Sequence, residues 1–379
     1  MRILISAGEA SGDLYAARVV EILKARHPDG EFFGCAGPRM QAAGVRPVVD
    51  QRSLAVVGIV EVLQHIPRIW GEFRKLVRAA ADEKPDVAIL TDSPDFHLRV
   101  ARKLKRLGIP VVYLIAPQAW AWRAGRVAGM RETIRHLLCI FPFEERFFAA
   151  RGVPASYIGH PLARLVKPAL SRAELLAKLG LATDSRVLAL LPGSRHGEAS
   201  RHMPVLLEAV RRIRERHNVT PVLAVPAGFD TTIWEPNLAA SIQIVVGHTW
   251  DVLAQAELAL AASGTVTIEA ALLGTPMVTF YRVNALSWYL ARWMVRAPFL
   301  SMVNLVAERR IVPELIQSEM TAEKIAAEGI RLLEDARARD TMRRDLAEVA
   351  AKLASERDPM EAAADWVERV LSDNRAHVQ

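Results

Sequence analysis

The sequence predicts an α/β protein made of two Rossmann-like parallel-sheet domains facing a cleft. Three observations predict it. Short apolar runs alternate with helical stretches, the rhythm of strand–crossover–strand units. The 379 residues are too many for one ordinary core and fit two domains of similar size. Small turns rich in Gly and Ser follow the apolar runs, and in open α/β sheets ligands bind at the carboxyl ends of the strands.

Arg2–Ala7 reads as the first strand and Asp13–Arg26 as the first helix. Glu31–Ala36, Asp86–Thr91, Val111–Ile115, Leu137–Phe141 and Ser156–Ile158 read as the remaining strands of the first half. A polar helix from Ser171 to Leu179 leads into the second half. There Arg186–Leu191, Thr220–Val225, Ile242–Val246, Glu257–Ala261 and Met277–Tyr281 are the strands. The expected boundaries are an N-terminal domain over 1–163, a second over 164–345 and a helical tail over 346–379. The tail packs back on the first domain or on a partner.

Composition is 51% hydrophobic and 24% charged, which is globular rather than disordered. Two cysteines, Cys35 and Cys139, argue against a disulfide scaffold and fit a reducing cytoplasm. The first strand begins at once, without a signal-peptide layout, and no stretch of about 20 residues is free of charge. Net charge is +7, which suits nucleic acid, anionic lipid or phosphorylated substrates. No recognition helix, zinc spacing or RNA-binding signature accompanies it, so nucleic acid is not an expected partner.

The stretch from Ala262 to Glu269 is the most informative. An apolar run ends in the turn Ser263-Gly264-Thr265, and a helix follows. Free N–H groups at a helix N-terminus, with Ser and Thr hydroxyls, make an anion site. Glu269 lies one turn further in, on a face that can reach a ribose. Leu191-Pro192-Gly193-Ser194-Arg195 follows another strand; Gly193 and Ser194 give a tight turn and Arg195 a cationic fork for phosphate oxygens.

In the first half, Gly8-Glu9-Ala10-Ser11-Gly12-Asp13 sits where a dinucleotide fingerprint would, without its G-x-G-x-x-G spacing. Gly8 and Gly12 permit close backbone approach. Glu9 and Asp13 put carboxylates where they can bind sugar hydroxyls, unless Ser11 or Asp13 simply caps the helix. Thr91-Asp92-Ser93-Pro94-Asp95 follows another strand. Asp92, nearer the strand end, is the favoured general base; Asp95 is better placed to cap the next helix. Pro117-Gln118-Ala119-Trp120-Ala121-Trp122-Arg123 offers a sugar-stacking or lipid-facing wall, or packs on the core. Asn304 reads, from spacing alone, as a loop cap.

Two apolar segments carry basic residues. Val56–Val77 has Val57, Val60, Leu63, Ile66, Ile69, Trp70, Phe73 and Val77 at helical spacing, with Arg68, Arg74, Lys75 and Arg78 among or beside them. Pro67 kinks or divides it. Leu286–Leu300 has Trp288, Tyr289, Trp293 and Phe299 beside Arg292 and Arg296. Each is either a core helix or a helix lying on an anionic membrane face, where a basic residue adds about 1 kcal/mol. No Asp-x-Asp, His/Cys metal spacing or Walker-type loop occurs, so neither a metal, a cofactor nor ATP-type phosphoryl transfer is expected.

These stretches, with Ala36-Gly37-Pro38-Arg39-Met40-Gln41, Val57-Gly58-Ile59-Val60-Glu61-Val62-Leu63, Pro94-Asp95-Phe96, Phe141-Pro142-Phe143-Glu144 and Ile158-Gly159-His160-Pro161, resemble the lipid-A-disaccharide synthases over nearly the whole chain. Ala10 stands where Thr is also expected, and Leu300–Arg309 matches more loosely around Asn304. The resemblance implies a GT-B glycosyltransferase that joins UDP-2,3-diacylglucosamine to 2,3-diacylglucosamine 1-phosphate (lipid X). The products are a β-1,6-linked disaccharide 1-phosphate and UDP. It implies a metal-free reaction at the inner face of the cytoplasmic membrane of Gram-negative bacteria, and functional roles for Glu9, Ser11, Asp92, Arg195, Glu269 and Asn304. Asp92 would take the proton of the acceptor 6-hydroxyl. Arg195 and the turn Ser263–Thr265 would stabilise departing UDP. The rivals are another GT-B enzyme using a UDP-sugar, either a different membrane glycosyltransferase or a UDP-N-acetylglucosamine 2-epimerase-like enzyme, and a non-catalytic nucleotide-binding module on the membrane.

Overall fold

A computed structural model describes residues 1–54, 59–122, 125–232, 242–284, 288–289 and 297–378. The chain divides into two compact units, 1–161 with 355–379, and 162–354.

The first unit holds a seven-stranded parallel sheet: β1 (Arg2–Ala7), β2 (Glu31–Ala36), β3 (Arg46–Asp50), β4 (Val87–Thr91), β5 (Val111–Leu114), β6 (His136–Cys139) and β7 (Ala155–Tyr157). Their order is β3-β2-β1-β4-β5-β6-β7. The second unit holds β8 (Val187–Leu191), β9 (Thr220–Val225), β10 (Gln243–Val246), β11 (Ala256–Ala262), β12 (Met277–Tyr281) and β13 (Glu314–Ile316), in the order β10-β9-β8-β11-β12-β13, also parallel.

The central strands are continuous apolar runs because helices cover both faces of such a sheet. Ile3, Leu4 and Ile5 of β1 and Leu188, Ala189 and Leu190 of β8 are fully buried. The edge strands β3 and β13 were not legible in the sequence. β3 contains Pro47 and is exposed at both ends, and β13 is three residues long with only Leu315 buried. The first helix starts at Ala10, and the helix Ile59–Glu83 runs through Pro67 without a division.

In each sheet the strand order reverses once, between β1 and β4 and between β8 and β11. Such a switch point splays the two flanking crossovers to opposite faces and opens a crevice at the strand ends. The turns Gly8–Gly12 and Thr91–Pro94 lie at the first, and Pro192–Arg195 and Ser263–Thr265 at the second.

The tail does not act as one piece. The helix Ala336–Leu353 packs within the second unit, and the chain changes unit only at 354–355. The last helix, Pro359–Val378, packs on the first helix of the first unit. Trp366 stacks on His136 at 3.6 Å, and Arg26 pairs with Asp365 at 2.8 Å and Glu368 at 2.9 Å. Gly159 makes the return possible: its φ is +90° and a Cβ there would lie 2.2 Å from Ser355 Oγ.

Candidate active site

The first switch point is built around Asp92. β4 ends at Thr91, and Asp92 and Ser93 both take left-handed backbone, φ +53° and +34°, before Pro94 opens the next helix. Two consecutive non-glycine residues there are disfavoured, each by about 1 kcal/mol or more, and persist only where the surroundings hold them. The sharp elbow aims the carboxylate at the end of β1. Gly8 N donates to Oδ1 at 2.7 Å and Glu9 N to Oδ2 at 3.0 Å. Burial pushes the Asp92 carboxyl up to about 7; the two N–H groups pull the other way, and the Glu9 carboxylate adds to the rise. Such a group is poised to exchange a proton near neutral pH.

The remaining residues of this turn divide. Glu9 and Ser11 are exposed, and Gly12 is buried against Asp92. Asp13, expected at the substrate or capping its own helix, does not cap that helix. It is 2% exposed and accepts from Gly37 N (2.9 Å), Arg39 N (2.9 Å) and Met40 N (3.2 Å). It thus caps the short helix Pro38–Ala42, because a buried carboxylate needs several donors and that N-terminus supplies them. Ser93, not Asp95, is the N-cap of the helix Pro94–Arg106, and Asp95 pairs instead with Arg126.

The second switch point presents two turns. Gly193 has φ +125°, and a Cβ there would lie 2.5 Å from Glu198 Oε2. His202, fully buried, fixes this turn: Nδ1 meets Pro192 O at 2.7 Å and Nε2 meets the Arg282 N–H at 3.1 Å. Ser194 and Arg195 are exposed, and Arg195 is the N-cap of the helix His196–Arg214. At the other turn Gly264 caps the helix Thr265–Leu272, and a Cβ on it would meet nothing within 4 Å. Ser263 Oγ donates to Leu300 O at 3.0 Å and Thr267 Oγ1 to Gly264 O at 2.8 Å. The carboxyl of Glu269 is pushed up by burial and pulled down by the indole N–H of Trp250. Gly-containing turns, helix N-termini and an arginine at two adjacent strand ends are groups of the kind that can bind an anion.

Asn304 is tied into its own loop. Fully buried, it donates to Val312 O (3.0 Å) and Glu314 Oε1 (2.8 Å) and accepts from Ile311 N (2.8 Å) and Val312 N (3.0 Å). All four amide positions are used. Glu314 in turn accepts from Leu300 N at 3.1 Å and Ser301 N at 2.9 Å, so the pair braces the loop that receives Ser263.

Trp120 packs inward, edge-on to Phe143 at 4.9 Å, and its indole N–H donates to Glu144 at 3.0 Å. Glu144 is 1% exposed, and burial pushes it up to about 8. Arg123 and the Trp122 side chain lie outside the described residues. So do residues 55–58 and the side chains of 59–66, and so do 285–287 and 290–296, with Trp293, Arg292 and Arg296. Of the first apolar segment, Phe73 and Leu76 are buried in the core. Trp70 is 45% exposed, stacked on Phe73 at 5.0 Å with Arg74 5.5 Å from its ring. Trp288 and Tyr289 are exposed. Among the described residues no helix is long and apolar enough to cross a membrane.

Sequence reading missed Ser6, His97 and Tyr113 around Asp92, and His202, Glu198 and Trp250 around the second site. Their sequence signal is weak: each is a polar residue within an apolar run or on a helix.

The Lipid-A-disaccharide synthetase family model matches residues 3–365. A lipid-A-disaccharide synthase of Solibacter usitatus (strain Ellin6076) is 58% identical over 378 residues, covering 100% of this chain and 99% of that one. Among solved structures, UDP-GlcNAc 2-epimerase from Neisseria meningitidis bound to UDP-GlcNAc aligns with TM-score 0.63 at 13% identity, over 98% of this chain and 100% of that one. The calicheamicin glycosyltransferase CalG4 aligns with TM-score 0.61 at 17% identity, over 98% of each. These two likenesses show the fold alone, two parallel-sheet α/β units as in GT-B glycosyltransferases.

Proposed function

Because the chain belongs to the lipid-A-disaccharide synthetase family, we propose that its two switch points divide the labour of that family's reaction. The reaction condenses UDP-2,3-diacylglucosamine with 2,3-diacylglucosamine 1-phosphate to give the disaccharide 1-phosphate and UDP. A donor that is α-linked to diphosphate and a β-linked product require one in-line displacement at the anomeric carbon. The acceptor 6-hydroxyl attacks, its proton leaves, and the bond to the diphosphate oxygen breaks.

Asp92 is the base. Supporting this is its carboxylate, held by two backbone N–H groups and shifted to about 7. A positioned base is worth about 10²–10⁴-fold in rate. UDP leaves as an anion and needs charge stabilisation rather than a proton. Arg195 and the N–H groups of the helix Thr265–Leu272 supply it, with Gly193, Ser194, Ser263 and Gly264 shaping the phosphate turns. Glu269 takes the ribose hydroxyls. Glu9 and Ser11, exposed beside Asp92, line the acceptor side.

The acyl chains of both substrates put the reaction at a membrane surface. Trp70, with Arg68, Arg74, Lys75 and Arg78 exposed around it, supports peripheral attachment to anionic lipid at the cytoplasmic face.

The test is UDP release from UDP-2,3-diacylglucosamine by purified protein in detergent micelles and EDTA, with and without lipid X. Release that requires lipid X and yields the disaccharide phosphate supports the reading. A strict Mg²⁺ requirement would overturn its metal-free chemistry, and turnover without lipid X would overturn the acceptor.

A further inference from the structure

We propose that His97 and Tyr113 are positioning residues that hold the Asp92 elbow through its main-chain carbonyl, an inference that rests on Asp92 being the base. The Asp92 carbonyl oxygen accepts from Tyr113 Oη at 2.5 Å and from His97 Nδ1 at 3.0 Å. Both residues are fully buried, as is Ser6, whose Oγ lies 2.7 Å from His97 Nε2. A carbonyl only accepts, so His97 carries its proton on Nδ1, and Nε2 accepts from the Ser6 hydroxyl. The three residues come from three elements: Ser6 from β1, Tyr113 from β5 and His97 from the helix after the elbow.

Two donors use both lone pairs of this one oxygen and so fix the peptide plane that follows Asp92. That plane sets the left-handed conformation of Asp92 and Ser93, and through it the direction of the carboxylate toward Gly8 and Glu9. Packing alone does not call for a histidine and a tyrosine aimed at one backbone oxygen in a sheet interior.

The chemistry makes the role separable from bulk stability. The side-chain amide nitrogen of Asn overlays the Nδ1 of His, and that of Gln overlays Nε2. His97→Asn therefore keeps the donor to Asp92, whereas His97→Gln loses it. Tyr113→Phe removes one oxygen and nothing else. The experiment measures kcat, donor KM and thermal melting for these three variants and Asp92→Asn in lipid X-dependent UDP release. Tyr113→Phe and His97→Gln are expected to lower kcat about 10- to 100-fold with donor KM nearly unchanged, since a misplacement near 1 Å costs on that order. His97→Asn is expected to recover most of the loss.

Full kcat in Tyr113→Phe and His97→Gln, with Asp92→Asn inactive, overturns the inference and leaves the base assignment standing. Equal losses in His97→Asn and His97→Gln that follow their melting temperatures overturn it likewise. Wild-type turnover in Asp92→Asn overturns the base assignment and this inference with it. If His97→Gln does not fold, the kcat of Tyr113→Phe decides.

Discussion

A Cβ added to Gly12 would lie 1.7 Å from Oδ2 of Asp92 and 2.8 Å from its carboxyl carbon. The first turn of the helix Ala10–Arg26 thus closes over the carboxylate that the end of β1 also holds. The carboxylate cannot swing aside without giving up Gly8 N and Glu9 N. Gly12→Ala is expected to cost about 1–3 kcal/mol of stability through overpacking. It should also cost about 10²-fold in kcat through misplacement of Asp92. Denaturation midpoints and single-turnover rates on the same sample check this; an unchanged rate would show that the carboxylate's position does not matter.

The pH profile should carry the signature of Asp92. Its carboxyl sits at about 7, so below that pH the neutral acid predominates and cannot take a proton. The rate kcat/KM is then expected to rise with pH through 7 and level above it. The Glu9 carboxylate contributes to the upward shift, so Glu9→Gln should move this acidic limb to lower pH. A limb that stays in place or moves up would assign it to another group.

The turn proposed to hold the donor phosphates should fail differently. Gly193 combines φ +125° with a Cβ position 2.5 Å from Glu198 Oε2, so Gly193→Ala strains both backbone and neighbour. The effect should fall on donor binding: KM for the UDP-sugar rises about tenfold, equivalent to about 1.4 kcal/mol. Titration calorimetry with UDP alone should give the same factor.

Asp13 should report on the fold and not on catalysis. Asp13→Asn presents an NH₂ group to at least one of the three N–H donors that the carboxylate now satisfies. A loss of about 2–4 kcal/mol is expected, seen as a drop of roughly 4–16 °C in the melting of the first unit. UDP affinity well below that melting point should not change.

How far the sequence carries is visible in particular residues. β1, β4, β8 and β11 were legible because a strand buried on both faces must be a continuous apolar run. The turns that follow them were legible for the same reason, and with them Asp92, Arg195 and Ser263. β3 was hidden by Pro47 and its charged ends, and β13 by its brevity. The contacts of Asp13 were not legible, because side-chain direction depends on partners far along the chain. Asp13 meets donors 24 to 27 positions away, and Tyr113 reaches the Asp92 carbonyl from 21 positions away. Local spacing names a cap but not the helix that is capped.

The assignment of Asp92 as base is tested most directly by Asp92→Asn. Lipid X-dependent UDP release and UDP affinity should be measured on the same preparation. Turnover is expected to fall by about 10²–10⁴-fold with UDP affinity nearly intact, because the residues proposed to hold UDP belong to the second unit. Turnover like that of the wild type would contradict the assignment.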